Sequence, residues 1–297
     1  MVKKALLTFL GLAVLAVLWY LFIKSYDYQV NFKAETTVGT VNQSIKSWNS
    51  SLKNHEPIVQ KSLGELVQTI KKGDTVRTYV WNIKKVGDNE VKVSAGIIDA
   101  ENGLRYRTQI PFGESKFEKE SKEQVQEFFQ KLNEHLKEIR VTIEGESDTQ
   151  ASFCAYIPLK GIQIEKARGM MSTYNTLTGF MIQANLEPRG TPFVEVERWD
   201  QENDSIIYNF CFPIVRSENL PEHPEIRYKR IFSKKALKAT YNGNYITSDR
   251  AWYALEEYAE ANNIEVDLTP LEVFYNNPNM GGDELNWKAE IFLPIKE

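Results

Sequence analysis

Apolar residues follow three rhythms along this chain. From Ala5 to Ile23 they are nearly unbroken, and ALLTFLGLAVLAVLWYLFI carries no charge. At 1.5 Å per residue the run makes about 28 Å of helix, close to the hydrocarbon thickness of a bilayer. Trp19 and Tyr20 stand near one end, where amphipathic rings favour the interface. A retained single-pass membrane helix fits this pattern. The alternative is a cleaved signal peptide, but that would have a shorter apolar core and a small-residue cleavage site, and none precedes Lys24. Beyond Tyr26 the rhythm alternates. YDYQVNFKA reads as a strand and TVGTVNQSIKSWNSSL as a short helix. IVQKSLGELVQTI, TVRTYVWNIKKV, EVKVSAGIID and LRYRTQI read as four strand-like runs. SKEQVQEFFQKLNEHLKEI then sets Val125, Phe128, Phe129, Leu132, Leu136 and Ile139 on one face of a helix.

Past Ser147 the pattern repeats. TPFVEVERWD and SIIYNFCFPI form one hairpin; TPLEVFYNNPNMGGDE and LNWKAEIFLPI form another, ending on the same Pro-Ile pair. A strand and a helix candidate precede each hairpin, so two strand–helix–strand–strand modules are expected over about 150–214 and 226–297. Gly169 and Gly179 interrupt the first helix, whose stripe of Met170, Tyr174, Leu177 and Met181 reads as core. The second is better formed, with Thr247 or Ser248 as its cap and Ala251, Trp252, Leu255, Tyr258 and Ala259 along one side. One helix covers only one face of a small sheet. The uncovered faces are therefore expected to meet around a central groove, in an α+β fold.

Strand alternation sorts the last hairpin. Trp287, Ala289, Ile291 and Leu293 face the helix, while Lys288, Glu290 and Phe292 point away. In the first module Tyr208, Phe210 and Phe212 turn to the helix, and Ile207, Asn209 and Cys211 turn away. A carboxylate set among aromatic rings and shielded from water should have a raised pKa. An organic cation would relieve that penalty, with ring faces adding about 0.5–2 kcal/mol. The competing reading pairs Glu290 with Lys288 or a neighbouring lysine as a solvated surface charge.

Composition narrows the field. A chain of 297 residues has room for about two domains, and its formal charge of −4, with no basic cluster, speaks against nucleic-acid binding. Cys154 and Cys211 lack metal-site spacing and read as buried free thiols. His55, His135 and His223 belong to no ligand motif, so neither a metal nor a cofactor is expected. Lys3 and Lys4 before the apolar run, against Lys24 after it, put the amino terminus in the cytoplasm and the rest of the chain outside.

The residues from about 150 to 297 resemble the GyrI-like family, the effector-binding domain of AraC-type and multidrug-responsive bacterial regulators. The resemblance rests on Tyr241-x-Gly243-x-Tyr245, on Glu272 to Tyr275 with Asn277-Pro278, and on Glu290-x-x-x-Pro294. The first module departs from it, with Asn209 in the place of Glu290. The resemblance implies that Glu290 recognises lipophilic cations and that Tyr275 is the family's hairpin tyrosine. Phe292, Trp199, Tyr241 and Tyr245 are added as wall candidates. Residues from about 26 to 145 resemble the SRPBCC (START-like, helix-grip) family in element order, with SIKSWN as the one motif. The domains expected are thus an anchor at 1–25, a START-like domain at 26–145 and a GyrI-like domain at 146–297. The function this implies is a membrane-anchored protein that senses a small hydrophobic or cationic ligand. Two alternatives stand beside it. One is a GyrI-like hydrolase of a strained or ester-like molecule, with Glu290 as general base if its pKa lies near neutrality. The other is hydrophobic-ligand binding by the START-like domain.

Overall fold

The computed structural model describes residues 2–53, 55–73, 75–113 and 115–296. Helix α1 (Val2–Leu18) continues through a wider turn at Trp19–Ile23, and the stretch Lys3–Ile23 is long and apolar enough to cross a membrane. Then follow β1 (Tyr28–Ala34), α2 (Val38–Ser51), β2 (Val59–Ser62), β3 (Glu65–Lys72), β4 (Thr75–Gly87), β5 (Glu90–Ile98), α3 (Gly103–Gln109) and α4 (Lys116–Lys137). The remaining elements are β6 (Arg140–Asp148), β7 (Ser152–Gly161), α5 (Lys166–Gln183), β8 (Phe193–Asp200), β9 (Ser205–Pro213), β10 (Arg227–Ile231), β11 (Lys235–Asn242), α6 (Arg250–Ala261), β12 (Leu271–Phe274) and β13 (Lys288–Pro294).

The chain divides into two compact units, 1–35 with 45–131, and 36–44 with 132–297. Unit 1 holds an antiparallel sheet in the order β1-β5-β4-β3-β2. Its core gathers Trp48, Trp81 and Phe128, whose rings pack at 5.1–6.2 Å. The run IVQKSLGELVQTI is a hairpin of two strands, β2 and β3, rather than one. LRYRTQI, expected as a strand, is mostly the helix α3. Its apolar positions alternate, but Asp99 Oδ1 accepts from the backbone N–H groups of Glu101 and Asn102, and this Asx turn launches a helix.

Unit 2 holds an eight-stranded antiparallel sheet in the order β10-β7-β9-β8-β12-β13-β11-β6. The segments β7-α5-β8-β9 and β11-α6-β12-β13 share one element order. They are not two separate sheets: β8 pairs directly with β12, with Val194 opposite Glu272 and Phe193 opposite Val273. Each would otherwise leave an edge of unpaired N–H and C=O groups. Helices α5 and α6 cover the same face, where Leu177 and Met181 pack on Ala155, Ile157 and Ile214. Trp252 and Leu255 are wholly buried on that side. β6 pairs with β11 and so belongs to this sheet, although most of it falls within the first domain as read from the sequence.

Neither Thr247 nor Ser248 caps α6; its first flanking residue is Asp249, and Ser248 Oγ turns instead to the buried Glu272 carboxylate. Helix α5 runs unbroken through Gly169 and Gly179. A Cβ on Gly169 would lie 2.2 Å from the Tyr208 hydroxyl, so the glycine lets α5 approach β9. Both cysteines are buried and free, as expected.

Candidate functional site

The face of the unit 2 sheet opposite α5 and α6 is built by strand parity. On β13 it takes Lys288, Glu290 and Phe292, and register sets Lys238 and Thr240 of β11 and Leu271 and Val273 of β12 beside them. Tyr275, just past β12, reaches back along the same face. Farther across, β8 adds Phe193 and Glu195 and β9 adds Asn209 and Cys211. Between the polar ends lies an apolar floor, in which Cys154, Phe193, Cys211 and Ile231 pack with Tyr156, Leu271 and Val273.

Glu290 sits at one end of this floor with its side chain 13% exposed. Its carboxylate accepts from the Tyr275 hydroxyl at 2.7 Å, from Lys288 Nζ at 2.8 Å and from Lys238 Nζ at 3.0 Å. Lys238 also meets Glu144 at 3.0 Å, and Thr240 donates to the same Glu144. The expected rise in the Glu290 pKa does not occur. Desolvation does push it upward, but hydrogen bonds from Lys288, Tyr275 and Lys238 outweigh it and hold the group at about 2. Desolvation and the adjacent carboxylate raise Tyr275 to about 12, so it donates rather than ionises. Of the two lysines Lys288 is the looser, with its side chain 42% exposed against 18% for Lys238, and its ammonium lies 4.9 Å from the ring centroid of the exposed Tyr275.

At the other end the roles change. Asn209 donates to Glu195 at 3.0 Å and to Glu197 at 2.7 Å, and Lys229 pairs with both carboxylates. The Asn209 amide, followed by desolvation against it and by Lys229, leaves Glu197 below its ordinary range.

Of the residues singled out from the sequence, the structure brings Glu290, Tyr275 and Phe292 onto this face; Phe292 is buried, with Lys238 Nζ 5.8 Å from its ring centroid. Trp199, Tyr241 and Tyr245 are not there. Tyr241 pairs with Ala289 on the helix side and hydrogen-bonds Asn244 and Thr247. Tyr245 packs on Phe274 and Trp287 and donates to the Lys288 carbonyl at 2.7 Å. Trp199 packs on Trp252 and Tyr253 and donates to Gln163 at 3.0 Å. All three order the core behind the face.

The competing reading, Glu290 paired with Lys288 or a neighbouring lysine, describes its partners, although the group is not solvated; sequence reasoning did not identify that neighbour as Lys238. Its position follows from the β11–β13 register, which alternation along one strand does not reveal. Also missed was a fully buried ion pair on the helix side. Lys166 Nζ of α5 lies 2.6 and 2.7 Å from the two Glu272 oxygens, and the same carboxylate accepts from Trp252 Nε1 at 2.6 Å and from Ser248. This pair ties α5 to β12 and α6. Among the described residues no His, Cys, Asp and Glu group is arranged to hold a metal ion.

Residues 154–296 match the model of the GyrI-like small molecule binding domain. No curated protein matches the chain. Among solved structures, the C-terminal domain of EcmrR is similar at 14% identity and a TM-score of 0.43, over 54% of this chain and 98% of that one. A hydrolase from Listeria innocua is similar at 10% identity and a TM-score of 0.34, over 51% and 92%. A protein solved with tetraphenylphosphonium is similar at 11% identity and a TM-score of 0.35, over 52% and 94%.

Proposed function

We propose that this is a membrane-anchored sensor whose GyrI-like domain binds amphipathic cations on the sheet face opposite α5 and α6. The observation that carries the proposal is Glu290, an ionised and largely buried carboxylate beside Tyr275 at the end of an apolar floor. An apolar surface with one oriented charge suits a small organic ligand. A cation would take the place of Lys288, the more exposed of the two lysines, while Lys238 and Tyr275 stay on the carboxylate. The apolar body would lie along Leu271, Val273 and Phe193. The matching order of β7-α5-β8-β9 and β11-α6-β12-β13 supports a duplicated module, in which the Asn209 end differs in charge from the Glu290 end. The apolar helix at Lys3–Ile23, none of whose residues is buried, supports the anchor, and the flanking lysines support an extracytoplasmic soluble part. The antiparallel sheet of unit 1 with its long α4 supports the START-like reading of that unit.

The hydrolase alternative needs Glu290 as a general base near neutrality, and a carboxylate held at about 2 is a weak base there. Titration calorimetry with tetraphenylphosphonium and neutral triphenylphosphine oxide tests the main reading. Wild type should favour the cation by roughly tenfold or more, and Glu290→Gln should erase that preference without lowering the melting temperature by more than a few degrees. Equal preference in both proteins would refute it.

A further inference from the structure

Unit 1 contains a cavity of about 390 Å³ that takes no part in the face described above. Its walls come from β3, β4, α3 and the first turns of α4. Among the described residues four cationic side chains line it, Lys72, Arg77, Arg105 and Lys116, against one carboxylate, that of Glu120. Such an excess attracts anions and focuses their approach to a concave surface.

Arg77 gives the cavity its built part. The residue is only 8% exposed, and one amino group donates to Glu120 at 2.7 Å. Its Nε is buried and has no hydrogen-bond partner among the described residues. A buried guanidinium donor left unused is costly, and an anion accepting from it would remove that cost. Glu120 answers Arg77 directly and Lys116 at 3.7 Å, leaving Arg105 and Lys72 as further cationic walls.

The apolar part of the lining is Ile70 and the rings of Tyr79, Tyr106 and Phe117, set among Thr75, Gln109, Ser115 and Gln124. Tyr106 stacks on Phe117 with centroids 4.3 Å apart and planes within 2°, and the Arg77 guanidinium lies 5.0 Å over the same Phe117 ring. The helix that brings Arg105 and Tyr106 to the cavity is also fastened to the end of the apolar amino-terminal helix. Arg107 of α3 donates to the Leu21 carbonyl at 2.9 Å and to Asp27 at 2.7 Å. The cavity's own wall is therefore continuous with the segment most suited to a bilayer.

We infer that this cavity binds an amphipathic anion, with a phosphate or carboxylate head against Arg77 and Arg105 and an apolar tail along Tyr106 and Phe117. The head could be supplied by an anionic lipid or by a free phosphate ester, because both offer the same chemistry. The test uses the full chain in neutral detergent, titrated with octyl phosphate, octyltrimethylammonium and inorganic phosphate. Octyl phosphate should bind at least roughly tenfold more tightly than either of the others. Arg77→Gln should weaken octyl phosphate by a similar factor. Because Arg77 is buried, a second variant, Lys72→Gln with Arg105→Gln and Lys116→Gln, changes only exposed residues and should weaken it as well. Phosphatidylcholine nanodiscs with and without phosphatidic acid separate the sources. Competition by phosphatidic acid marks a lipid ligand, and its absence with retained octyl phosphate binding marks a soluble one. Equal binding of octyl phosphate and octyltrimethylammonium, equal binding of octyl and inorganic phosphate, or unchanged octyl phosphate affinity in the triple variant would overturn the inference.

Discussion

Glu290 shows how a residue's direction can be read from its strand while its ionisation cannot. Alternation alone turns Trp287, Ala289, Ile291 and Leu293 to the helices and Glu290 away from them, which is the arrangement observed. The same reasoning set the carboxylate among rings and raised its pKa. It had no means of supplying Lys238, which belongs to another strand and arrives only once β11 and β13 are in register. A folded-state value of about 2 against the usual 4.5 means that the ionised group stabilises the fold. That contribution is complete above pH 4.5 and is lost as pH falls toward 2. Thermal melts of wild type and Glu290→Gln between pH 7 and pH 2 should therefore converge at the acid end, and a gap of constant width would contradict the assignment. Lys288 competes for the same carboxylate as the proposed ligand. Lys288→Met should raise cation affinity by roughly two- to fivefold, the equivalent of an exposed pair of about 0.5–1 kcal/mol, in the same calorimetric titration.

At the scale of elements, periodicity served well where an apolar stripe was long and poorly where it was short. Leu177 and Met181 of α5 and the Trp252 side of α6 are core as their spacing indicates. The two glycines of α5 look alike in sequence, yet they differ in space. Gly169 is pressed against Tyr208, while Gly179 has open space where a Cβ would go. Gly169→Ala should thus destabilise the protein by about 1–3 kcal/mol through overpacking. Gly179→Ala should stabilise it by about 0.5–1 kcal/mol through helix propensity and the unfolded chain. Denaturant midpoints for the two variants should move in opposite directions. The Lys166–Glu272 pair belongs to the same scale. Removing one buried partner leaves the other charge stranded, so Lys166→Met should cost about 3–5 kcal/mol in the same denaturation series. Strand-like alternation in LRYRTQI misled because it spans barely two turns of helix, and the Asx turn at Asp99 decides its conformation.

For the whole molecule, the apolar amino-terminal helix was legible in composition and rhythm, and the GyrI-like match over 154–296 in the motifs around Tyr241, Glu272 and Glu290. The joining of β8 to β12 into one sheet was not, since edge pairing depends on backbone groups that carry no sequence signature. The role of β6 was hidden for the same reason, as its alternating half-buried residues suit any edge. If Lys3–Ile23 anchors the protein, the full chain should sediment with membranes and be released by detergent but not by high salt, whereas a chain beginning at Ser25 should stay in the supernatant. Salt-released full-length protein would speak against the anchor. The central claim is that a cation replaces Lys288 on Glu290, and a crystal structure of residues 25–297 grown with tetraphenylphosphonium tests it most directly. The account predicts the phosphonium within about 6 Å of the Tyr275 ring and beside the Glu290 carboxylate, its phenyl groups over Val273 and Leu271 and the Lys288 ammonium swung away. A phosphonium bound elsewhere, with the Lys288–Glu290 pair intact, would contradict it.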